Sequence, residues 1–376
     1  MNISRLTKAL LGATALTIVA ASTAQAGGFS RGTADTDILY EEGNFNLRTG
    51  VVIVSPTRKF TDNKFNPALV GVDYADTYAI PSAAVKFKIF EDMNCAGTYT
   101  QSYGGSATWP TPSGPVQKLN EDFSVNEFGA TCGYKVDLGK GRLWLLGGVF
   151  MESVKYDLVA VSGALSGTLH DTGMGWRAGV AYDIPEIALR AQLMYRSGFS
   201  VDADGTALLM PPLTPGAVTR PATGTADLPQ SVEMKLQSGI APGWLAYGSV
   251  KWTDWSVTKE LILNVPAAGL QSKNEYFWRD GWTVTGGIGH AFTDRISGTV
   301  FASWDRGVGT GWDLTAETYT LGVGTSMKDA LGGELRLGAA AIHMGEVSET
   351  KYVPVLNRTV GAAWGFAVSA GYSVKW

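Results

Sequence analysis

Hydrophobic and polar positions alternate with a period of two through most of the chain. The carboxy-terminal segment 364–376 shows it most plainly. Trp364, Phe366, Val368, Ala370, Tyr372, Val374 and Trp376 are separated by Gly, Ala, Ser and Lys. Such a period marks a strand with two unlike faces. The same pattern predicts strands over 51–54, 77–89, 98–103, 123–136, 143–156, 173–182, 187–197, 229–240, 244–263, 281–292, 296–305, 318–327, 334–344 and 364–376. That is about fourteen, an even number, as a closed antiparallel membrane barrel requires. The connections near 138, 184, 242, 294 and 330 are tight. Those at 104–120, 157–171, 198–228, 264–280 and 346–360 read as long loops. Tight turns facing the periplasm and long loops facing outward, with both termini periplasmic, make a self-consistent assignment. The fold class expected is all-β: a transmembrane antiparallel barrel of about 14 strands, preceded by a short irregular amino-terminal segment.

Parity sorts the wall residues. Arg177, Arg190, Arg196, Lys235, Lys251 and Arg336 fall on lumen faces, whereas Trp176, Leu189, Val250 and Leu335 point to lipid. Trp176, Tyr182, Tyr195, Trp244, Trp252, Trp282, Trp304, Tyr319 and Tyr372 lie near strand ends, where aromatic girdles sit.

Composition narrows the class further. Hydrophobic residues make up 45% and charged residues 17%, a mixture that suits a barrel and excludes disorder. The net charge of −4, with no basic run, leaves no electrostatic footprint for nucleic acid. Arg5 and Lys8 precede an apolar stretch at 9–21 and the small-x-small triplet Ala24-Gln25-Ala26. This reads as a signal peptide over 1–26 that is cleaved in the mature protein. The expected organisation is then a polar, irregular segment at 27–46, plug-like by the resemblance described below, and a barrel at 47–376.

Cys95 and Cys132 fall at the periplasmic ends of neighbouring strands, so an exported chain could bond them; two free thiols are the other reading. Neither has metal-ligand spacing. His170, His290 and His343 lie apart and in no nucleophile or metal motif, which speaks against an enzyme. No cofactor is implied.

Several stretches resemble the FadL/TodX family of outer-membrane transporters for long-chain fatty acids and hydrocarbons. The segment from Asp227 to Gly239 looks like that family's "LP…v..G" strand. Trp244 to Ser256 is similar to the next strand, which ends in a W-[ST]-x-[FW] box. Phe277-Trp278-Arg279-Asp280-Gly281-Trp282 and Tyr78-Ala79-Ile80-Pro81-Ser82 resemble two further strand starts. The Asn-Pro-Ala box usual in the family's plug is missing from the first mature segment; Asn66-Pro67-Ala68 lies after the first strand. The resemblance implies a monomeric barrel in the outer membrane of a Gram-negative bacterium. It implies loop capture of an apolar ligand, an internal pocket, and a sideways exit beside a kinked third strand. The last strand would pair with the first near Val51, and Trp376 would be the end recognised by the barrel assembly machinery.

Three features can be set against that picture. The stretch 207–218 contains Leu208, Leu209, Met210 and Leu213, and 158–165 reads LVAVSGAL. Apolar clusters in water-facing loops mark a capture site, or else loop packing. Gly104 and Gly105 mark a bulge or bend in the third strand, or simply its end. Arg196, Lys251 and Arg336 could hold a carboxylate headgroup, with Trp252 and Trp255 beside Lys251; interior ion pairing with Glu233 or Glu334 is the alternative. The expected function is transport of long-chain fatty acids or related lipids. A general or substrate-selective porin, or a surface receptor or adhesin barrel, is the alternative.

Overall fold

The structure is a computed structural model that describes residues 27–114, 116–330, 332–351 and 356–376. The expected signal peptide lies outside the described residues.

Fourteen strands close one antiparallel barrel. They are β1 (Phe45–Ser55), β2 (Tyr78–Phe90), β3 (Met93–Ser113), β4 (Lys118–Leu138), β5 (Gly141–Ala160), β6 (Leu165–Ile184) and β7 (Leu189–Arg196). The remainder are β8 (Ser231–Ala241), β9 (Trp244–Thr253), β10 (Gly281–Ala291), β11 (Ile296–Asp305), β12 (Thr318–Lys328), β13 (Glu334–Met344) and β14 (Ala363–Lys375). Each strand pairs with the next in this order, and β14 returns to β1 with Val51 opposite Ala370. The wall therefore has no free edge at the closing seam, which is what hydrocarbon demands of backbone N–H and C=O groups.

Alternation in β14 has the expected sense. Trp364 and Phe366 are 56% and 63% exposed on the outside, while Ala367 and Ser369 face inward at 3% and 8%. Trp176 and Leu335 likewise face out, and Arg177 and Arg336 are buried inside. No described helix is long and apolar enough to cross a membrane.

Four expectations change. The third strand does not stop at Gly104-Gly105; β3 runs through both to Ser113. The stretches 104–120 and 157–171 are mostly strand, because β3 to β6 are 20 or 21 residues long. A tilted strand needs only ~9–11 residues to cross the bilayer, so their outer halves stand in water. There the outward positions carry Ser, Thr and Asp instead of Leu and Phe, which makes them read as loop. The stretch 198–228 is a hairpin, Phe199–Leu209 with Val218–Leu228, whose first strand pairs with the outer half of β6. The expected single strand 244–263 is split. A 3-10 turn at Trp255–Val257 turns the Trp255 ring inward, and Glu260–Val265 forms a separate hairpin with Leu270–Glu275.

The lumen is filled from the amino-terminal side. A 3-10 turn, Thr36–Tyr40, buries Ile38 and Leu39 completely against Trp144, Leu146, Ala96 and Ala181. Its charges are matched one by one. Arg48 holds Asp35 at 2.9 Å and also Glu41; Lys235 meets Asp37 at 3.1 Å. Lys86 Nζ donates to the carbonyls of Glu41 and Gly43. Tyr40 donates to Gln192.

Cys95 and Cys132 sit directly opposite each other in the β3–β4 ladder, with Cα atoms 4.0 Å apart, and their sulfurs are bonded. Unreduced protein is expected to resist iodoacetamide and to gain two carbamidomethyl groups only after reduction. Mass spectrometry reads this directly, and labelling without reductant would contradict it.

Candidate functional site

The ladder between β2 and β3 ends early. It runs from Phe90 opposite Met93 to Ser82 opposite Thr100, and no further. Residues 78–81 of β2 stay paired to β1, so it is the β3 side that opens. Pro81 stands at the break and has no N–H to give a ladder. β3 shifts register here: Gln101 faces Asn126 and Tyr103 faces Val125, leaving Ser102 as a bulge.

The amino-terminal segment fills the place that β2 leaves. Ser30 forms an antiparallel bridge with Tyr103. Arg31 and Gly32 donate their N–H groups to Ser102 and Gln101, at 2.9 and 2.8 Å, and Gly104 donates to Phe29. Arg31 Nε also bonds the Gly104 carbonyl at 2.9 Å, and its guanidinium lies over the Tyr78 ring. The two glycines make room for this. A Cβ on Gly105 would stand 3.1 Å from the Phe29 ring, and one on Gly104 would stand 3.3 Å from Arg31 Nε. Gly104 and Gly105 thus permit a close approach; they do not terminate the strand.

This seam opens inward on a chamber of about 380 Å³. Its walls carry the aromatic residues Phe29, Tyr74, Tyr78, Trp109, Phe123, Tyr276 and Trp312 among polar and charged ones. Phe29 is the hub: its ring lies 5.0 Å from Phe123, 4.9 Å from Trp278 and 5.4 Å from Tyr276. Several charged residues around the chamber are paired in the wall. Lys118 meets Glu121 at 2.6 Å, Arg358 and Lys351 meet Glu349, and Lys273 meets Glu260.

Above the chamber lies an apolar groove of about 300 Å³, lined by Val161, Leu165, Leu263, Val265 and Leu270. Val116 and Lys273 border both spaces, so groove and chamber adjoin. Below lies a network of buried ions. Glu127 is held by Arg177 and by Arg196, the latter at 3.0 Å. Arg196 also reaches Glu152, and its Nη1 donates to Tyr103 at 3.0 Å.

The residues singled out from sequence are distributed unevenly over this geometry. Gly104 and Gly105 line the chamber. Trp255 is fully buried beside it, edge-on to Trp278 and Tyr103. Lys251 does face the lumen, opposite Glu233, but it lines smaller cavities below. Trp252 is on the outward side of β9, and its Nε1 donates to Asp280. Arg196 is committed to the buried network, and Arg336 to Glu334 at 2.9 Å near the periplasmic mouth. Leu209 is completely buried in the extended wall, and Leu213 packs on the same cluster, with Leu208 and Met210 half-buried. The open groove uses Val161 and Leu165 from the 158–165 stretch; Leu263, Val265 and Leu270 were not singled out. Their alternation in a polar hairpin was the available signal.

A closed fourteen-stranded barrel, its lumen occupied by its own amino-terminal segment and its outer half holding an aromatic chamber, is an outer-membrane transport barrel. The sequence profile of the outer membrane protein transport protein (OMPP1/FadL/TodX) family matches residues 38–297. The chain belongs to that family, a family of transport channels and not of enzymes, and its place is the outer membrane. It is 23% identical over 325 residues to the long-chain fatty acid transport protein of Salmonella typhi, covering 76% of this chain and 72% of that one. The protein of the same name from Escherichia coli K12 is 24% identical over 227 residues, 54% of this chain and 48% of its own length. This chain therefore matches about half the length of that relative. Among solved structures, a Pseudomonas aeruginosa FadL homologue superposes with a TM-score of 0.69 at 15% identity, over 90% of this chain and 91% of that one. The Pseudomonas putida toluene transporter TodX gives 0.60 at 11%, over 93% and 95%. At these identities the structures speak for the fold alone.

Proposed function

We propose that this barrel takes up hydrophobic compounds, long-chain fatty acids or related lipids, as a monomer. The compound is caught in the apolar groove, held in the aromatic chamber, and released sideways into the membrane between β2 and β3. The observation that carries this reading is the seam itself. A barrel wall with an unzipped ladder would be costly in lipid unless something covered it, and residues 28–32 cover it from inside. Residues 27–44 act as a plug whose upper end is the gate. An apolar ligand gains from such an exit because it never has to cross the polar lower lumen. The paired ions there leave a poor path for a lipid and good anchorage for the plug.

The glycine pair tests the route. Gly105→Val pushes a branched side chain into the Phe29 ring and is expected to cut oleate uptake by about tenfold or more, since even displacements of this size impose costs of ~1–3 kcal/mol. Outer-membrane level and heat-modifiable gel mobility should match the unmodified protein. Full uptake by Gly105→Val would count against release at the seam.

A further inference from the structure

The cations around the chamber point to the headgroup of its ligand. Most of them are already engaged. Lys118 meets Glu121, Lys351 and Arg358 meet Glu349, and Lys273 meets Glu260. Arg58 donates from Nη1 and Nη2 to the carbonyls of Gly345 and Leu314. Arg31 differs. It borders the chamber from the amino-terminal segment, with its guanidinium carbon 3.0 Å from the centre of the Tyr78 ring. Its Nε donates to the Gly104 carbonyl. Among the described residues, its Nη1 and Nη2 have no acceptor, and no carboxylate forms an ion pair with it. Asp122 on β4 attracts it only through space. Asp76, another acid of the chamber, is engaged by Ser106 and Thr108.

Tyr78 thus holds one face of the guanidinium and Gly104 its Nε, which leaves the Nη1–Nη2 edge fixed and unanswered. A carboxylate spans that edge with two parallel hydrogen bonds and neutralises the charge. An ester or a hydrocarbon brings no charge, so the half-buried cation stays uncompensated. We infer that the compound held in the chamber is an ionised carboxylic acid, and that Arg31 Nη1 and Nη2 receive its carboxylate. This rests on the reading that the chamber holds the transported compound, and it separates fatty acids from neutral lipids of the same length. The headgroup then lies at the seam, on the segment that fills it, with the tail among Phe29, Phe123 and Tyr276.

The test is equilibrium binding to the full mature chain in mild non-ionic detergent, with dodecanoate and methyl dodecanoate as matched probes. Dodecanoate is expected to bind about tenfold tighter, the scale of hydrogen bonds to a charged group. Arg31→Gln should close that gap by weakening dodecanoate, not by tightening the ester. Arg31→Lys keeps the charge without the fork and should fall between. Heat-modifiable gel mobility reports a folded barrel in each variant. Equal affinity for the two probes, a gap unmoved in Arg31→Gln, or both probes weakened alike in that variant would overturn the inference while leaving uptake of apolar compounds standing. Failure of both probes to bind the unmodified protein would overturn both.

Discussion

Glu127→Ala is expected to cost the barrel about 3–5 kcal/mol, the usual penalty for stranding buried charge by removing one partner. Glu127 is 2% exposed and holds two guanidiniums, those of Arg177 and Arg196. Without it Arg177 loses its ion-pair partner, and its Nε already has no partner among the described residues. Arg196 keeps Glu152, so the damage should fall mainly on Arg177. The measurement is the urea midpoint of unfolding in lipid vesicles, followed by tryptophan fluorescence. Glu127→Gln keeps an acceptor and should fall between the two. Asp62→Ala, which breaks an exposed pair with Lys64, should cost under ~1 kcal/mol. An unchanged midpoint in Glu127→Ala would mean that water reaches the network freely.

How far the chain could be read in advance depends on what each pattern encodes. Period-two alternation encodes inside against outside, and that was legible. It placed Arg177, Lys251 and Arg336 in the lumen and Trp176 and Trp364 outside, and it identified fourteen strands. It does not encode height along the barrel. Lys251 and Trp255 are four residues apart, yet one lines a cavity lower in the lumen and the other closes the aromatic cluster, because the chain turns at Asp254. Nor does it encode strand length above the membrane, where both faces become polar. That is why the wall extension around Leu209 looked like an open patch of Leu208, Leu209, Met210 and Leu213. The glycine pair was legible as a special site. Its role was not, since it depends on residues 28–32, some seventy positions away, lying against it. Glu334 was legible as the partner of Arg336, but Glu127 and Glu152, which take Arg196, and Asp37, which takes Lys235, were beyond reach.

The second large effect concerns the gate. Ser30 and Tyr103 face each other across an antiparallel bridge, the geometry in which paired cysteines bond readily. A Ser30→Cys, Tyr103→Cys variant would tie the amino-terminal segment to β3 by a bond that reductant releases. Tyr103 also meets Arg196 and the Pro229 carbonyl, so Tyr103→Cys alone is the needed control for lost packing. Reductant acts on the native Cys95–Cys132 bond alike in every variant, so that its effect cancels from the comparison. With the segment tied down, the seam stays filled and the lower lumen stays as it was.

Oleate uptake by cells carrying the double variant, oxidised and then reduced, tests the central claim most directly. The account predicts that uptake falls to the level of cells without the protein on oxidation and returns on reduction, with both single variants indifferent to redox state. Equal uptake in the oxidised and reduced double variant would contradict release between β2 and β3.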